Sequence, residues 1–437
     1  MKFQYPHSNL ALTPPMGWNS WDCYCVTITE EEFKANADFM AKYLKHHGWE
    51  YVVLDLAWYA SSDVDHHSYK NVDIPQNIDE YGRFIPCPIK FPSSAGGVGL
   101  KPLADYVHNL GLKMGLHIMR GIPAQAVYAK TQVKGTDLTA DQISYDRERC
   151  PWYNSLRTLD FSKIGAQQYY DSIFELYAEW GIDYIKADDL NTWNEVNNSD
   201  GAPTGNGSPY RIDDIEGIRN AMDRCGRPML LSLSPGGPET TIVNHLRKNA
   251  NLWRISADFW DEWGSFRKQM DRCAIWAHFI TEGHWPDADM LPFGYMERGE
   301  SGGQYRYSNF TKTEQKSVFT LWCMFRSPLM FGGVLPGCDD FILGLLTNKD
   351  VLRINQHSHN NQEVFRSEST IVWKAEDSEL NKTYFSFFNI SDQPIMVDLK
   401  QILQTESDYA NDLWSKRSFD LNLSQKIDKH DVLLVAV

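Results

Sequence analysis

The strongest constraint on this chain is a rhythm. Short apolar runs recur, and each is followed by a longer amphipathic stretch. The runs are Met16–Trp21, Tyr51–Trp58, Lys113–Arg120, Tyr184–Leu190, Pro228–Ser234, Leu252–Phe259, His284–Leu291 and Pro328–Gly333. They are apolar on both faces, as parallel strands buried under helices must be. The helical patterns between them are Thr29–Lys45, Lys101–Leu110, Gly165–Trp180, Ile212–Arg224, Glu239–Asn249, Ser265–Phe279 and Thr311–Phe325. Thr29 is followed three residues later by Glu32, the signature of a capping box. Strand then helix, repeated about eight times, predicts a (β/α)8 barrel of the TIM type. The rival is a doubly wound sheet, which carries a glycine-rich phosphate turn after its first strand. Here that strand runs into Trp21-Asp22-Cys23-Tyr24-Cys25, so the barrel is preferred.

The rhythm stops near residue 358. His357–Asn361 is polar, and Thr370–Lys374, Thr383–Asn389, Ile395–Leu399 and Val432–Val437 are short and rich in β-branched and aromatic residues. These predict an antiparallel sheet or a small β-sandwich. The expected division is a catalytic barrel over residues 1–358 and a C-terminal antiparallel β domain over residues 359–437. The segment Asn191–Arg211, rich in Asn, Gly, Ser and Pro, reads as a long surface loop.

Charge narrows the partners. Lys and Arg number 42 against 57 Asp and Glu, a net charge of −15. That sign disfavours nucleic acid and an anionic membrane surface. No apolar run approaches the roughly 20 residues of a membrane helix. The N-terminal stretch lacks the apolar core and cleavage site of a signal peptide, so the expectation is a cytoplasmic protein, or a secreted one if the sequence is a trimmed mature form. The eight cysteines form no CxxC pair and read as ordinary buried thiols of a reducing compartment; a Cys23–Cys25 disulfide would be strained. Asn197-Asn198-Ser199 matches a glycosylation sequon, which carries little meaning without secretion.

In a barrel the chemistry lies at the C-terminal strand ends. Those ends read Asp22; Asp55 and Trp58; His117 and Arg120; Lys186, Asp188 and Asp189; Ser232 and Ser234; Arg254, Asp258 and Asp261; Asp287 and Asp289. Any one of them could instead cap the following helix, since Asp and Ser are good N-caps. The whole set exceeds what capping requires. Several carboxylates, a lysine, arginines and nearby tryptophans (Trp18, Trp21, Trp58, Trp253, Trp260, Trp285) suit glycoside cleavage, which needs a carboxylate on each side of the anomeric carbon. Core packing accounts for part of the tryptophan set. His46–His47 and His66–His67 are adjacent pairs that cannot converge on one ion, so neither a metal nor another cofactor is expected. There is no GxSxG elbow and no Walker loop.

Several motifs, in order, resemble glycoside hydrolase family 27, the α-galactosidase and α-N-acetylgalactosaminidase family. They are Pro14–Asp22 for the opening strand, Tyr184–Asp188 for the nucleophile strand, Trp253–Asp258 for the acid/base strand and Trp285–Leu291 for the seventh strand. Arg326–Met330 and Val351–Gln356 resemble the barrel's end. The resemblance implies a barrel with a C-terminal antiparallel domain and a retaining double displacement. Asp188 would be the nucleophile and Asp258 the acid/base, their carboxyl groups about 5–5.5 Å apart. Trp18, Asp55, Trp58, His117, Lys186, Ser232, Ser234, Arg254 and Asp289 are the candidate sugar contacts. Lys186 shares a strand face with Asp188 and would keep it ionised. Arg254 shares a face with Asp258 while the strand stays regular.

Two positions depart from the α-galactosidase pattern. α-Galactosidases of the family end the second strand in paired aspartates that hold the 4- and 6-hydroxyls; here the pair reads Asp55-Leu56. On the fifth strand they carry a Glu reaching the 2-hydroxyl, whereas here Ser234 stands, as in the N-acetylgalactosaminidases. The expected function is exo-hydrolysis of terminal α-galactosyl-type residues, as α-N-acetylgalactosaminides or α-galactosides, from an oligosaccharide or glycoconjugate. A family member acting on a β-L-arabinopyranoside or an isomaltosyl unit is the alternative, and a non-catalytic sugar-binding barrel is the rival from another class. A homo-oligomer is compatible with the sequence.

Overall fold

A computed structural model describes residues 5–64, 74–150, 152–191, 210–297, 304–403 and 407–437. Eight parallel strands form one curled sheet: β1 Met16–Asn19, β2 Tyr51–Leu54, β3 Lys113–Met119, β4 Tyr184–Asp188, β5 Leu230–Leu233, β6 Leu252–Arg254, β7 Trp285–Asp287 and β8 Leu329–Phe331. Each lies beside its neighbours in sequence order, with β8 against β1. A parallel bridge between Leu291 and Phe331, just beyond β7, joins the two ends of the sheet. The eight runs read from the sequence are therefore the eight barrel strands, though every ladder is shorter than its apolar run. The surplus residues at the C-terminal ends turn out of the ladder into the loops that carry chemistry. Gly17 permits the close approach of β1 and β2, because a Cβ there would lie 2.3 Å from the Tyr51 carbonyl oxygen.

The helices α1 Glu30–Tyr43, α2 Lys101–Asn109, α3 Ile164–Trp180, α4 Ile212–Arg224, α5 Val243–Asn249, α6 Trp263–Trp276 and α7 Lys312–Phe325 separate the strands. The Thr29 capping box forms as read. The Thr29 amide donates to Glu32 Oε2 at 3.0 Å and the Glu32 amide to Thr29 Oγ1 at 3.4 Å. Such a cap is worth on the order of 1 kcal/mol. Helix α7 is exceptional in being buried almost all round, from Glu314 to Phe325. It lies between the barrel seam and the C-terminal sheet.

Two further elements carry no apolar periodicity and escaped the sequence reading. A small sheet of Ile122–Pro123, Ser144–Tyr145 and Leu156–Leu159 fills the excursion between β3 and β4. A hairpin of Tyr295–Met296 against Arg306–Tyr307 rises after β7.

The C-terminal region is a six-stranded antiparallel sheet in the order β9-β10-β11-β16-β13-β14, with a two-stranded partner, β12-β15. Its strands are β9 His359–Arg366, β10 Thr370–Asp377, β11 Lys382–Asn389, β12 Ile395–Val397, β13 Tyr409–Asp412, β14 Ser418–Asp420, β15 Gln425–Ile427 and β16 Val432–Ala436. Alternation divides β10 cleanly. Ile371, Trp373 and Ala375 join the barrel core, while Val372 joins a second cluster with Phe385, Phe387, Leu399 and Val435. Strand β9 begins within the polar run His357–Asn361; its side chains are largely exposed, which removed the apolar signal.

The predicted loop Asn191–Arg211 lies outside the described residues over positions 192–209, as do the sequon and His66–His67. All eight cysteines are free, so no Cys23–Cys25 disulfide is formed. Among the described residues no helix is long and apolar enough to cross a membrane.

Candidate active site

The parallel ladder aligns the floor of the site. His117 on β3 pairs in register with Lys186 on β4, and Lys186 pairs with Ser232 on β5. One residue type from each of three strands is thereby stacked in a single row across the barrel. Two residues further along β4, on the same face, stands Asp188.

Two linked clusters occupy the C-terminal mouth. The first centres on Asp55, at the end of β2. Its Oδ2 accepts from Lys186 Nζ at 2.9 Å and from Asn19 Nδ2 at 2.7 Å. Its Oδ1 accepts from the Leu56 amide at 2.8 Å. His117 Nε2 lies 3.1 Å from Asp188 Oδ2 and 3.9 Å from Asp55 Oδ1. The other Asp188 oxygen accepts from the Asp189 amide at 2.7 Å. Burial alone would raise the Asp188 carboxyl. The His117 hydrogen bond, the Lys186 ammonium and the Asp189 amide outweigh burial and hold it below the ordinary carboxylate range. Asp55 is likewise raised by burial but brought well below the usual range by His117 and Lys186. Lys186, buried between these carboxylates, is held above the ordinary lysine range despite the cost of desolvation.

The second cluster centres on Arg254, the last residue of β6. Its guanidinium reaches Asp289 at 2.8 Å and Asp258 at 3.2 Å. Asp289 also accepts from the Phe259 amide at 2.7 Å, and its carbonyl accepts from Trp322 Nε1. The Asp258 side chain is 70% exposed, against 25% for Asp188. One carboxylate thus faces solvent at the rim, where it can exchange a proton with water. The other is recessed and kept anionic by its neighbours. Arg254 acts electrostatically on Asp188, and Lys186 on Asp289, so the two clusters feel each other's charge.

Of the residues read from the sequence, the structure brings together Asp55, His117, Lys186, Asp188, Arg254, Asp258 and Asp289. Ser232 is buried in the row beneath them. Ser234 lies just past β5, its amide bonded to the Ala187 carbonyl and its Oγ buried without a partner among the described residues. Trp18 and Trp58 are different. Both are fully buried, with indole N–H groups bonded to the Gly333 and His117 carbonyls. Each meets core aromatics edge to face, Trp18 with Tyr24 and Phe33, Trp58 with Tyr59 and Trp180. Neither has surface to offer a sugar ring. Trp21, three residues after Trp18, is half-buried.

The face-sharing argument for Arg254 and Asp258 fails in detail, because β6 ends at Arg254. The two meet through the turn beyond it. Arg120, Asp189 and Asp261 serve neighbouring loops. Arg120 bonds the Asp189 carbonyl and the Glu148 carbonyl, and Asp261 is gripped by Arg306. Two residues near the site escaped the list of sugar contacts. Asn19 orients Asp55, and its position as the last residue of β1 was the available signal. Asp22 is buried at the mouth, and its carboxyl is raised by burial and by Asp289. Asp287, behind Asp289, is pushed up to about 6 by burial and by Asp289.

The sequence model described as Alpha galactosidase A matches residues 13–144 and 159–357, more than half of the chain. Among solved structures, a GH27 β-L-arabinopyranosidase from Geobacillus stearothermophilus is 43% identical, with 99% of this chain and 98% of that chain covered and a TM-score of 0.89. A candidate α-N-acetylgalactosaminidase from Bacillus halodurans C-125 is 39% identical, with 98% and 97% covered and a TM-score of 0.82. The α-galactosidase of Oryza sativa subsp. japonica is 26% identical over 352 residues, 80% of this chain. The chain spans 65% of that rice protein's length.

Proposed function

The chain belongs to the α-galactosidase A family of glycosidases, glycoside hydrolase family 27, and on that premise we propose that it is a retaining exo-hydrolase of galacto-configured pyranosides, with terminal β-L-arabinopyranosides as its preferred substrates. In this reading Asp188 attacks the anomeric carbon and forms a glycosyl-enzyme. Asp258 protonates the leaving oxygen, then takes the proton of the incoming water. The recessed, anionic state of Asp188 and the solvent-facing position of Asp258 support that division of labour. Lys186 and Asp55 are suited to the ring hydroxyls on the β2–β4 side. Arg254 and Asp289 suit the side nearer the acid/base.

The observation that carries the sugar assignment is Leu56. It is apolar and 2% exposed, next to the Asp55 carboxylate, where the α-galactosidase pattern has a second aspartate. β-L-Arabinopyranose has the ring stereochemistry of α-D-galactopyranose, with hydrogen in place of the hydroxymethyl at C5. A carboxylate that would bond the 6-hydroxyl is thus missing where the substrate has no such hydroxyl. The similarity to the Geobacillus protein points the same way. A site lacking the partner of a substrate hydroxyl discriminates against that substrate by desolvation. The deciding measurement is kcat/KM on p-nitrophenyl β-L-arabinopyranoside and α-D-galactopyranoside. The arabinopyranoside should lead by tenfold or more, and Leu56→Asp should shift the ratio toward galactose. A galactoside preference in the wild type would overturn the assignment.

A second reading rests on Ser234. A serine near C2, followed by Pro235 and Gly236, leaves room for an acetamido group, and a Cβ added at Gly236 would meet no atom closer than 3.5 Å. p-Nitrophenyl α-N-acetylgalactosaminide in the same panel tests it directly.

A further inference from the structure

The backbone turns sharply just after the proposed nucleophile. Asp188 is the last residue of β4, and Asp189 follows it with φ at +57°. Residues with a Cβ rarely adopt this left-handed conformation, and Asp tolerates it better than most. The Asp189 side chain is buried, and so is Arg120, which follows β3 directly. Left-handed residues of this kind persist only where their surroundings hold them.

The planar peptide that joins Asp188 to Asp189 is held at both ends. Its carbonyl accepts from the Arg120 amide at 3.3 Å, one step beyond the Met119–Asp188 pair of the β3–β4 ladder. Its N–H donates to Asp188 Oδ1 at 2.7 Å. The C=O and N–H of one peptide point in opposite directions, so fixing the carbonyl aims the N–H. The next carbonyl, that of Asp189, accepts from Arg120 Nε at 2.7 Å, and the same Nε lies 2.9 Å from Asp189 Oδ2. The guanidinium is itself anchored on the excursion between β3 and β4. Nη1 donates to Thr158 Oγ1 at 3.1 Å and Nη2 to the Glu148 carbonyl at 2.7 Å. Thr158 Oγ1 donates to that same carbonyl at 2.9 Å, closing the frame.

We infer that Arg120 is a positioning residue for the nucleophile: acting through Asp189, it holds the left-handed turn that keeps the Asp189 amide on Asp188 Oδ1. This rests on the reading of Asp188 as the nucleophile. His117 Nε2 holds the other oxygen, Oδ2, at 3.1 Å, so two donors on opposite oxygens set the rotation of the carboxylate. With the turn released, one donor is lost and the carboxylate is free to rotate out of line with the anomeric carbon. A displacement of about 1 Å at a reacting group costs on the order of 10²-fold in rate.

The test separates grip from charge. Arg120→Lys keeps the charge, but one ammonium cannot reproduce the fork. On the p-nitrophenyl glycoside that wild type cleaves best, we expect it to lower kcat/KM about tenfold or more and to leave inhibition by the released sugar within about threefold. Its acid limb should move upward, because the amide's support for the Asp188 anion weakens. Asp189→Asn and Asp189→Gly do not depend on the arginine variant folding, and both remove the carboxylate. Asn tolerates the turn and offers Arg120 an oxygen, so it should stay within about threefold of wild type. Gly allows the turn but no longer fixes it, so it should fall about three- to tenfold, with the acid limb raised relative to the Asn variant. Full activity in folded Arg120→Lys, equal activity of the Asn and Gly variants, or a loss confined to sugar inhibition would overturn the inference. Asp188→Asn guards the premise. If that variant stays active, the reading of the nucleophile fails; if it is inactive, the other outcomes bear on Arg120 alone.

Discussion

His117 sits opposite Lys186 in the β3–β4 ladder, yet its Nε2 reaches diagonally to Asp188 Oδ2 at 3.1 Å. Each carboxylate beside this imidazole has another strong partner: Lys186 and Asn19 on Asp55, the Asp189 amide on Asp188. The histidine thus links Asp55 to the proposed nucleophile.

Removing it should shift the pH profile. Asp188 is held below the ordinary carboxylate range in part by His117, with Lys186 and the Asp189 amide also favouring the anion. His117→Phe removes one of these supports, so the carboxyl needs a higher pH to ionise. The acid limb of kcat/KM should move upward, with activity at pH 4.5 lost more steeply than at pH 7. An unmoved acid limb in a folded variant would exclude His117 from this role.

The two carboxylates should fail differently. Asp188→Asn should cost several orders of magnitude on every substrate, because no covalent intermediate forms. Asp258→Ala should cost about 10²–10⁴-fold on poor leaving groups and far less on 2,4-dinitrophenyl glycosides, which depart without a proton. Azide should rescue Asp258→Ala with retained configuration, visible by NMR of the product. Rescue with inversion would exchange the two roles.

Asp287 supplies a stability test. Its pKa is pushed up to about 6, so the folded state prefers the protonated form. The stability it contributes is fully present below about pH 4, the unfolded value, and is lost as pH rises through about 6. Asp287→Asn keeps an oxygen to accept the Asp289 amide and carries no charge to lose. We expect its melting temperature, relative to wild type, to rise between pH 4 and pH 7.5, with an effect on the order of 2–3 kcal/mol. A constant difference across that range would contradict the argument.

Chelation should do nothing. The acidic strand ends resemble a ligand set only in sequence. Asp55 is occupied by Lys186, Asn19 and the Leu56 amide; Asp289 by Arg254 and the Phe259 amide; Asp261 by Arg306. Activity measured before and after EDTA should agree. Loss restored by added metal would show that these pairings open to admit an ion.

The barrel was legible because its strands are buried on both faces, and few other arrangements ask for eight continuous apolar runs. The position of Asp188 was legible for a related reason, since it stands in such a run on the same face as Lys186. Asp258 lies beyond the last ladder residue of β6, so strand periodicity gives no reason for its meeting with Arg254. Reading the strand ends listed it among many carboxylates, and the motif resemblance singled it out. Trp18 and Trp58 were misplaced because composition cannot tell a core indole from one that faces a ligand. The backbone carbonyls of Gly333 and His117, distant in sequence, settle that. The tyrosine hairpin was invisible for the opposite reason: its strands are two residues each and half exposed.

The barrel is closed between β7 and β8 by a single bridge, Leu291 to Phe331, where its other junctions are ladders. Helix α7 backs that seam, and the C-terminal sheet fastens α7 from outside. His430 bonds Glu314 at 2.6 Å and stacks on Trp263, Lys316 pairs with Asp431 at 2.6 Å, and Trp414 bonds Thr320 at 3.0 Å. The appended sheet is therefore a clasp on a nearly open ring. Amide protons at Leu291 and Gly332 are the place where loosening of that clasp would first be felt as hydrogen exchange, in the same wall that carries Asp287 and Asp289.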